Sequence, residues 1–183
     1  MSGGWDIGAN FANIGPAWHL RGVVLVNTLG MRIRMVMVGR NAPGPVTEAF
    51  EEMLGRLRRS FPVDQVVVAD PPGTDPERKR REGTDRLLKA VEKDSLVVLL
   101  DERGEGLSST AFAVRLGRWR DQGVRQVAFV IGGAYGVDDR MRARATQVIA
   151  LSPMTFTHQL VRLVLAEQLY RASEILRGSG YHH

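Results

Sequence analysis

Residues 124–158 read VRQVAFVIGGAYGVDDRMRARATQVIALSPMTFTH, and this stretch decides the fold. Residues 127–131 form an unbroken apolar run that closes on Gly132-Gly133, with Gly136 following. Residues 148–151 form a second short apolar run that closes on Ser152-Pro153-Met154-Thr155. Short apolar runs bounded by breakers predict buried strands of a parallel sheet. Two such strands, each stopping in a loop of small residues, predict a ligand held by backbone at the carboxyl ends of that sheet.

Working outward, residues 95–100 make another apolar strand, ending in Asp101-Glu102-Arg103-Gly104-Glu105-Gly106. Three small-residue loops are thereby expected at one sheet edge. Each taken alone also fits a plain strand-to-helix turn whose glycines supply positive φ. A helix capped by Ser108 or Ser109 is expected to run to about Gln122, apolar at Phe112, Leu116 and Trp119. Asp138 and Asp139 favour the start of a short helix before the strand at 148–151. Thr155 or Thr157 opens a last helix reaching about Leu176. Its apolar stripe of Leu160, Leu163, Val164 and Leu169 is expected to face the sheet or another subunit.

Towards the amino terminus, MRIRMVMVGR from Met31 alternates as a strand does, and residues 32–38 are the first strand. A helix follows to about Ser60, apolar at Phe50, Met53, Leu54 and Leu57, and residues 65–69 are the second strand. The segment 75–93 opens with the charge run Arg78-Lys79-Arg80-Arg81 and contains Gly83. Its first half is expected to be a loop rather than a helix. Residues 1–30 are glycine-rich without sustained periodicity and are taken as an extension with no role in the fold. Residues 31–183 are expected to form one domain, and strands alternating with helices make it α/β with a largely parallel sheet.

The composition narrows the function. The chain has 183 residues, 44% hydrophobic, enough for one α/β core. The formal net charge is +5 and the sequence pI is about 10.2, which fits a polyanionic partner. The positive charge is mostly arginine; Lys79, Lys89 and Lys93 are the lysines. Basic clusters at Arg56, Arg58 and Arg59, at 78–81, at Arg115, Arg118 and Arg120, and at Arg140, Arg142 and Arg144 tilt the reading towards nucleic acid. The absence of Cys excludes disulfides, zinc thiolates and Cys nucleophiles. No apolar run is long enough for a membrane span, so no membrane partner and a cytoplasmic location are expected. After the first strand, Gly39-Arg40-Asn41-Ala42-Pro43-Gly44 lacks the dinucleotide-binding spacing, and no phosphate-binding P-loop occurs.

The assembled residues resemble the RlmH family of ribosomal RNA methyltransferases, a minimal branch of the SPOUT class. The resemblance rests on Leu99-Leu100-Asp101-x-x-Gly104, on Phe129-Val130-Ile131-Gly132-Gly133-x-x-Gly136, and on Leu151-Ser152-x-Met154-Thr155-Phe156-x-His158-Gln159-Leu160-x-Arg162. It continues through Glu167-Gln168-x-Tyr170-Arg171-Ala172 to Gly180-Tyr181-His182. Three features depart from the family pattern: Thr157 replaces the usual Pro, Ala134-Tyr135 occupies a variable pair, and residues 1–30 have no counterpart.

The resemblance implies a SPOUT-type sheet flanked by helices, with a C-terminal trefoil knot. It implies a homodimer that moves a methyl group from S-adenosylmethionine to N3 of a pseudouridine in 23S rRNA, acting on the large subunit or assembled ribosome. By carry-over, the donor meets Leu100, Gly132, Leu151, Ser152, Pro153, Met154, Thr155 and Phe156. Proton-acceptor candidates are His158, Glu167, Tyr181 and His182, with Arg162 and Arg171 holding an RNA phosphate or stabilising the deprotonated base. No metal is expected. Two alternatives stand beside this: a SPOUT enzyme for another RNA nucleotide, and a non-catalytic RNA-binding protein of ribosome assembly.

Overall fold

Among the described residues five strands, all paired in parallel, form one sheet in the order β2 (Val63–Val68), β1 (Arg32–Val38), β4 (Gln126–Ile131), β3 (Leu96–Gly106), β5 (Gln147–Ala150). The computed structural model describes residues 30–180 apart from Asp94. The elements are β1 (Arg32–Val38), α1 (Pro45–Leu57), β2 (Val63–Val68), α2 (Pro76–Ala90), β3 (Leu96–Gly106), α3 (Ser109–Asp121), β4 (Gln126–Ile131), α4 (Asp139–Arg144), β5 (Gln147–Ala150) and α5 (His158–Leu176). The expected extension at 1–30 falls, but for Gly30, outside the described residues, as do Tyr181 and His182.

The centre of the sheet is buried on both faces because residues 35–38 of β1, 97–99 of β3 and 127–131 of β4 are continuous apolar runs, and the pleat sorts successive residues to opposite sides. Ile33, Met35 and Met37 of β1, with Val127, Phe129 and Ile131 of β4, meet α1, α3 and α5 through Phe50, Leu54, Phe112, Leu116, Trp119, Leu165 and Leu169. The intervening Val36, Val38, Ala128 and Val130 meet α2 and α4 through Leu87, Val91, Val137 and Met141. Phe112 meets Phe129 edge-on at 6.1 Å between ring centres, a favoured aromatic arrangement.

The expected loop in the charged segment is overturned: residues 76–90 are helix from the first turn. Asp75 caps it by accepting from the Glu77 N–H at 3.1 Å, and Pro76 takes a first-turn position where its missing N–H is harmless. Ion pairs at helical spacing, Arg78–Glu82 at 2.7 Å and Arg80–Glu77 at 2.5 Å, offset the charge run. Gly83 is buried in this helix.

A second correction concerns the loop expected after Leu100, where β3 runs on to Gly106. Leu100 and Glu105 both pair with Ile149 of β5, so the intervening residues bulge over that strand. A Cβ on Gly104 would stand 2.6 Å from the Ile149 backbone, so only glycine lets the two main chains cross this closely. Arg115 of α3 clamps the extension by a forked bond to Glu105 at 2.6 and 3.1 Å.

Candidate functional site

The carboxyl ends of β1, β3, β4 and β5 open into a cleft of about 960 Å³. From the β3 side it is lined by Leu100 and Asp101, from β4 by residues 131–137, and from β5 by Leu151, Ser152, Met154, Thr155 and Phe156. Seven of the eight candidate donor contacts therefore share one cavity; Pro153 is exposed on the same loop and does not line it. Met154 is 72% and Phe156 37% exposed, so this wall presents apolar surface to a ligand.

The glycines act by close approach more than by positive φ. Gly136 alone of the three has positive φ, +70°. A Cβ on Gly132 would lie 3.0 Å from the Gly136 backbone, and one on Gly133 would lie 3.2 Å from Val38. The loop is folded so tightly that bare backbone forms this part of the wall, a surface suited to hydrogen bonds from the main chain. The Ser152 hydroxyl accepts from the Met154 N–H at 2.9 Å and shapes the β5 loop in the same local manner.

Helix α5 begins at the cleft. His158 in its first turn is half-buried and lines the cavity. Burial holds its imidazole below the ordinary value, the Arg162 charge pushes the same way, and Asp70 opposes both.

Arg162 lies one turn on, as the spacing implies, yet it is 1% exposed. Its guanidinium donates to the Val38 carbonyl at 2.7 Å, to the Gly39 carbonyl at 2.8 Å and to the Asn41 side-chain oxygen. In this arrangement it ties α5 to the end of β1 and is turned away from any phosphate in solvent. The sequence concealed this because i, i+4 spacing reports a shared face, not which face is buried. The remaining α5 stripe is likewise rotated from expectation: Leu169 is buried, Leu163 and Val164 are half-buried, and Leu160 is 38% exposed.

Glu167 and Arg171 sit about one and a half and two and a half turns beyond Arg162 and do not line the cleft. Arg171 donates to Glu167 at 2.7 and 2.9 Å, and Gln168 reaches both Glu167 at 2.6 Å and Ser109 of α3 at 2.7 Å. Asp101 and Arg142, neither singled out as a site residue from the sequence, pair at 2.8 Å on the cleft wall, so the acidic group there is neutralised. Only the tertiary fold brings those two together. No cluster of metal-ligating side chains exists among the described residues, and no helix in them is long and apolar enough to cross a membrane.

Comparison with known proteins agrees with this architecture. The family model described as "Predicted SPOUT methyltransferase" matches residues 31–182. The chain is 46% identical over 153 residues to the ribosomal RNA large subunit methyltransferase H of Geobacter sulfurreducens, covering 84% of this chain and all of the relative. It is 47% identical over 152 residues to the protein of the same name from Rhodospirillum centenum, covering 83% of this chain and 99% of that one. Among solved structures, a probable methyltransferase from Bordetella pertussis superposes with a TM-score of 0.54 at 18% identity, covering 80% of this chain and 97% of that one. A probable methylase family protein from Haemophilus influenzae gives 0.51 at 14% identity, covering 80% and 68%. The chain belongs to the SPOUT methyltransferase family.

Proposed function

We propose that this protein methylates N3 of a pseudouridine in the 23S RNA of the large ribosomal subunit, with S-adenosylmethionine as donor. The observation that carries this reading is the cleft into which the bulge of β3 and the loops after β4 and β5 converge in a methyltransferase fold. The name borne by the relatives, ribosomal RNA large subunit methyltransferase H, supports the substrate, and the net charge of +5 suits a polyanion.

The residues present fit the donor. Gly132 and Gly133 leave bare backbone that a Cβ would fill, Met154 and Phe156 offer apolar surface, and Asp101 is already neutralised by Arg142. Leu100, Gly132, Leu151, Ser152, Met154, Thr155 and Phe156 would hold the donor, with Pro153 shaping the loop from outside. Bound there, the donor supplies a methyl group carried on positively charged sulfur.

What remains for the protein is to orient the acceptor and manage one proton. Orientation alone can supply several kcal/mol of the barrier, roughly 7–11 in well-aligned cases. The acceptor nitrogen must shed its proton, and a group that is neutral at working pH can take it. His158 lines the cleft, and burial disfavours its charged form; Glu167, Tyr181 and His182 are the other candidates. Arg162 acts in this scheme by position, fixing the first turns of α5 to β1.

We further propose a homodimer whose site is composite. Glu167 and Arg171 lie off their own chain's cleft, so a direct part for them requires the cleft of a second copy. Fully active monomers in sedimentation would overturn that arrangement. The function is tested with labelled donor on assembled ribosomes and on free 23S rRNA, followed by mapping of the modified nucleotide. Label on a nucleotide other than a pseudouridine would refute the assignment, and donor binding without transfer to any rRNA would favour a non-catalytic assembly role.

A further inference from the structure

The topology divides the cleft at β4. The bulge of β3 and the loop after β5 lie on one side of that strand, while the ends of β1 and β2 lie on the other. The candidate donor contacts belong to β4 and to the β3–β5 side. The opposite side is lined by Arg40, Ala42, Arg80 and Tyr135, none of which the donor reading uses.

Tyr135 is 46% exposed and sits at the second central position of a tight turn, closed by the Gly136 N–H donating to the Gly133 carbonyl at 2.9 Å. Gly133 abuts Val38 and Asp70, and Asp70 pairs with Lys79 of α2 at 2.7 Å. The turn is thus anchored against the ends of β1 and β2 and the first turns of α2. Among the described residues, the exposed Arg40 makes no ion pair and Arg80 pairs only with Glu77, whose side chain is 75% exposed. An exposed ring on a hydrogen-bonded turn, sharing its cleft with guanidinium groups carried by the end of β1 and by α2, has the makings of a single-stranded RNA subsite. The ring offers a stacking face and the arginines take phosphates.

We propose that Tyr135 is the stacking platform for an unpaired base of the acceptor RNA, with Arg40 and Arg80 holding the adjoining phosphates. This rests on the proposed action on ribosomal RNA. It adds a set of specificity-determining contacts distinct from the donor loops.

The test uses the full chain with Tyr135→Ala, Tyr135→Phe and Arg40→Gln. Three quantities are measured: donor Kd by calorimetry, RNA Kd on a 23S rRNA fragment across a salt series, and KM and kcat on ribosomes. Tyr135→Ala should weaken RNA binding and raise KM about ten-fold, Tyr135→Phe should stay within about two-fold of wild type, and all three should bind donor as wild type does. Arg40→Gln should reduce the salt slope of RNA binding by about 0.7. Unchanged RNA affinity in Tyr135→Ala overturns the proposal. So does a parallel loss of donor affinity, or a change in sedimentation that makes the turn a subunit contact. Wild-type protein that binds RNA through Tyr135 yet methylates no rRNA would uphold this subsite and refute the proposed function instead.

Discussion

Replacing Arg162 by methionine separates the two roles open to that residue. The guanidinium is 1% exposed and donates to two main-chain carbonyls at 2.7 and 2.8 Å and to the Asn41 side chain. Hydrogen bonds from a charged donor contribute roughly 1.5–3 kcal/mol each, so three amount to about 4–9 kcal/mol in gross terms. Against this stands the desolvation of a guanidinium with no carboxylate partner among the described residues, several kcal/mol by the usual reckoning for a buried ion. That burial also lowers the Arg162 pKa. Methionine fills much of the volume and removes the desolvation penalty, but leaves the Val38 and Gly39 carbonyls without their donor. The net expectation is a loss of about 2–3 kcal/mol, read as a lower urea midpoint at nearly constant slope. The salt dependence of RNA binding should not change, because no phosphate contact is lost. Stability equal to wild type, together with a salt slope reduced by about 0.7–0.9, would refute the structural role and restore Arg162 as a phosphate ligand.

His158 should titrate below about 6.5, its ordinary value, because burial and the Arg162 charge disfavour the imidazolium. A depressed folded pKa adds stability above the unfolded value that is lost as pH falls through the folded one. Unfolding free energy should therefore drop from about pH 7 downward and flatten below the folded pKa, and His158→Gln should remove that slope; an unchanged pH profile would refute it. Gly132→Ala places a Cβ 3.0 Å from the Gly136 backbone, and calorimetry should show donor affinity down about ten-fold, against an unchanged Kd if the loop relaxes freely. Gly104→Ala meets β5 main chain at 2.6 Å and should lose about 2–4 kcal/mol in urea unfolding; wild-type stability would show that the crossing is loose.

The core of the fold was legible because its strands are continuous apolar runs, a local signal that survives burial on both faces. β1 was expected at the residues where it occurs, and β4 and β5 were displaced by a single residue. The helix at 76–90 is hidden by its density of charge, which masks the helical spacing of its ion pairs. The Asp75-Pro76 start and the Arg78–Glu82 pairing were both present in the sequence. The continuation of β3 past Leu100 had no local signal at all, since residues 101–106 read as breakers and become strand only against β5. Two walls of the cleft are legible as the loops after β4 and β5, while the third comes from a bulge within β3 where a loop is expected. The neutralisation of Asp101 by Arg142, across 41 residues, and the burial of Arg162 are not legible, because both depend on how distant elements face one another.

The crossing at Gly104 also sets the scale of the cleft. Leu100, on one wall, pairs with Ile149; Leu151, on the other, follows Ile149 by two residues; and between them the main chains touch with nothing interposed. The separation of the two walls is therefore gauged by the thickness of a polypeptide backbone, a dimension kept as long as position 104 carries no side chain. The exposed tips at Met154, Phe156 and Tyr135 lie away from that crossing, so what the slot accepts can change there without changing its width.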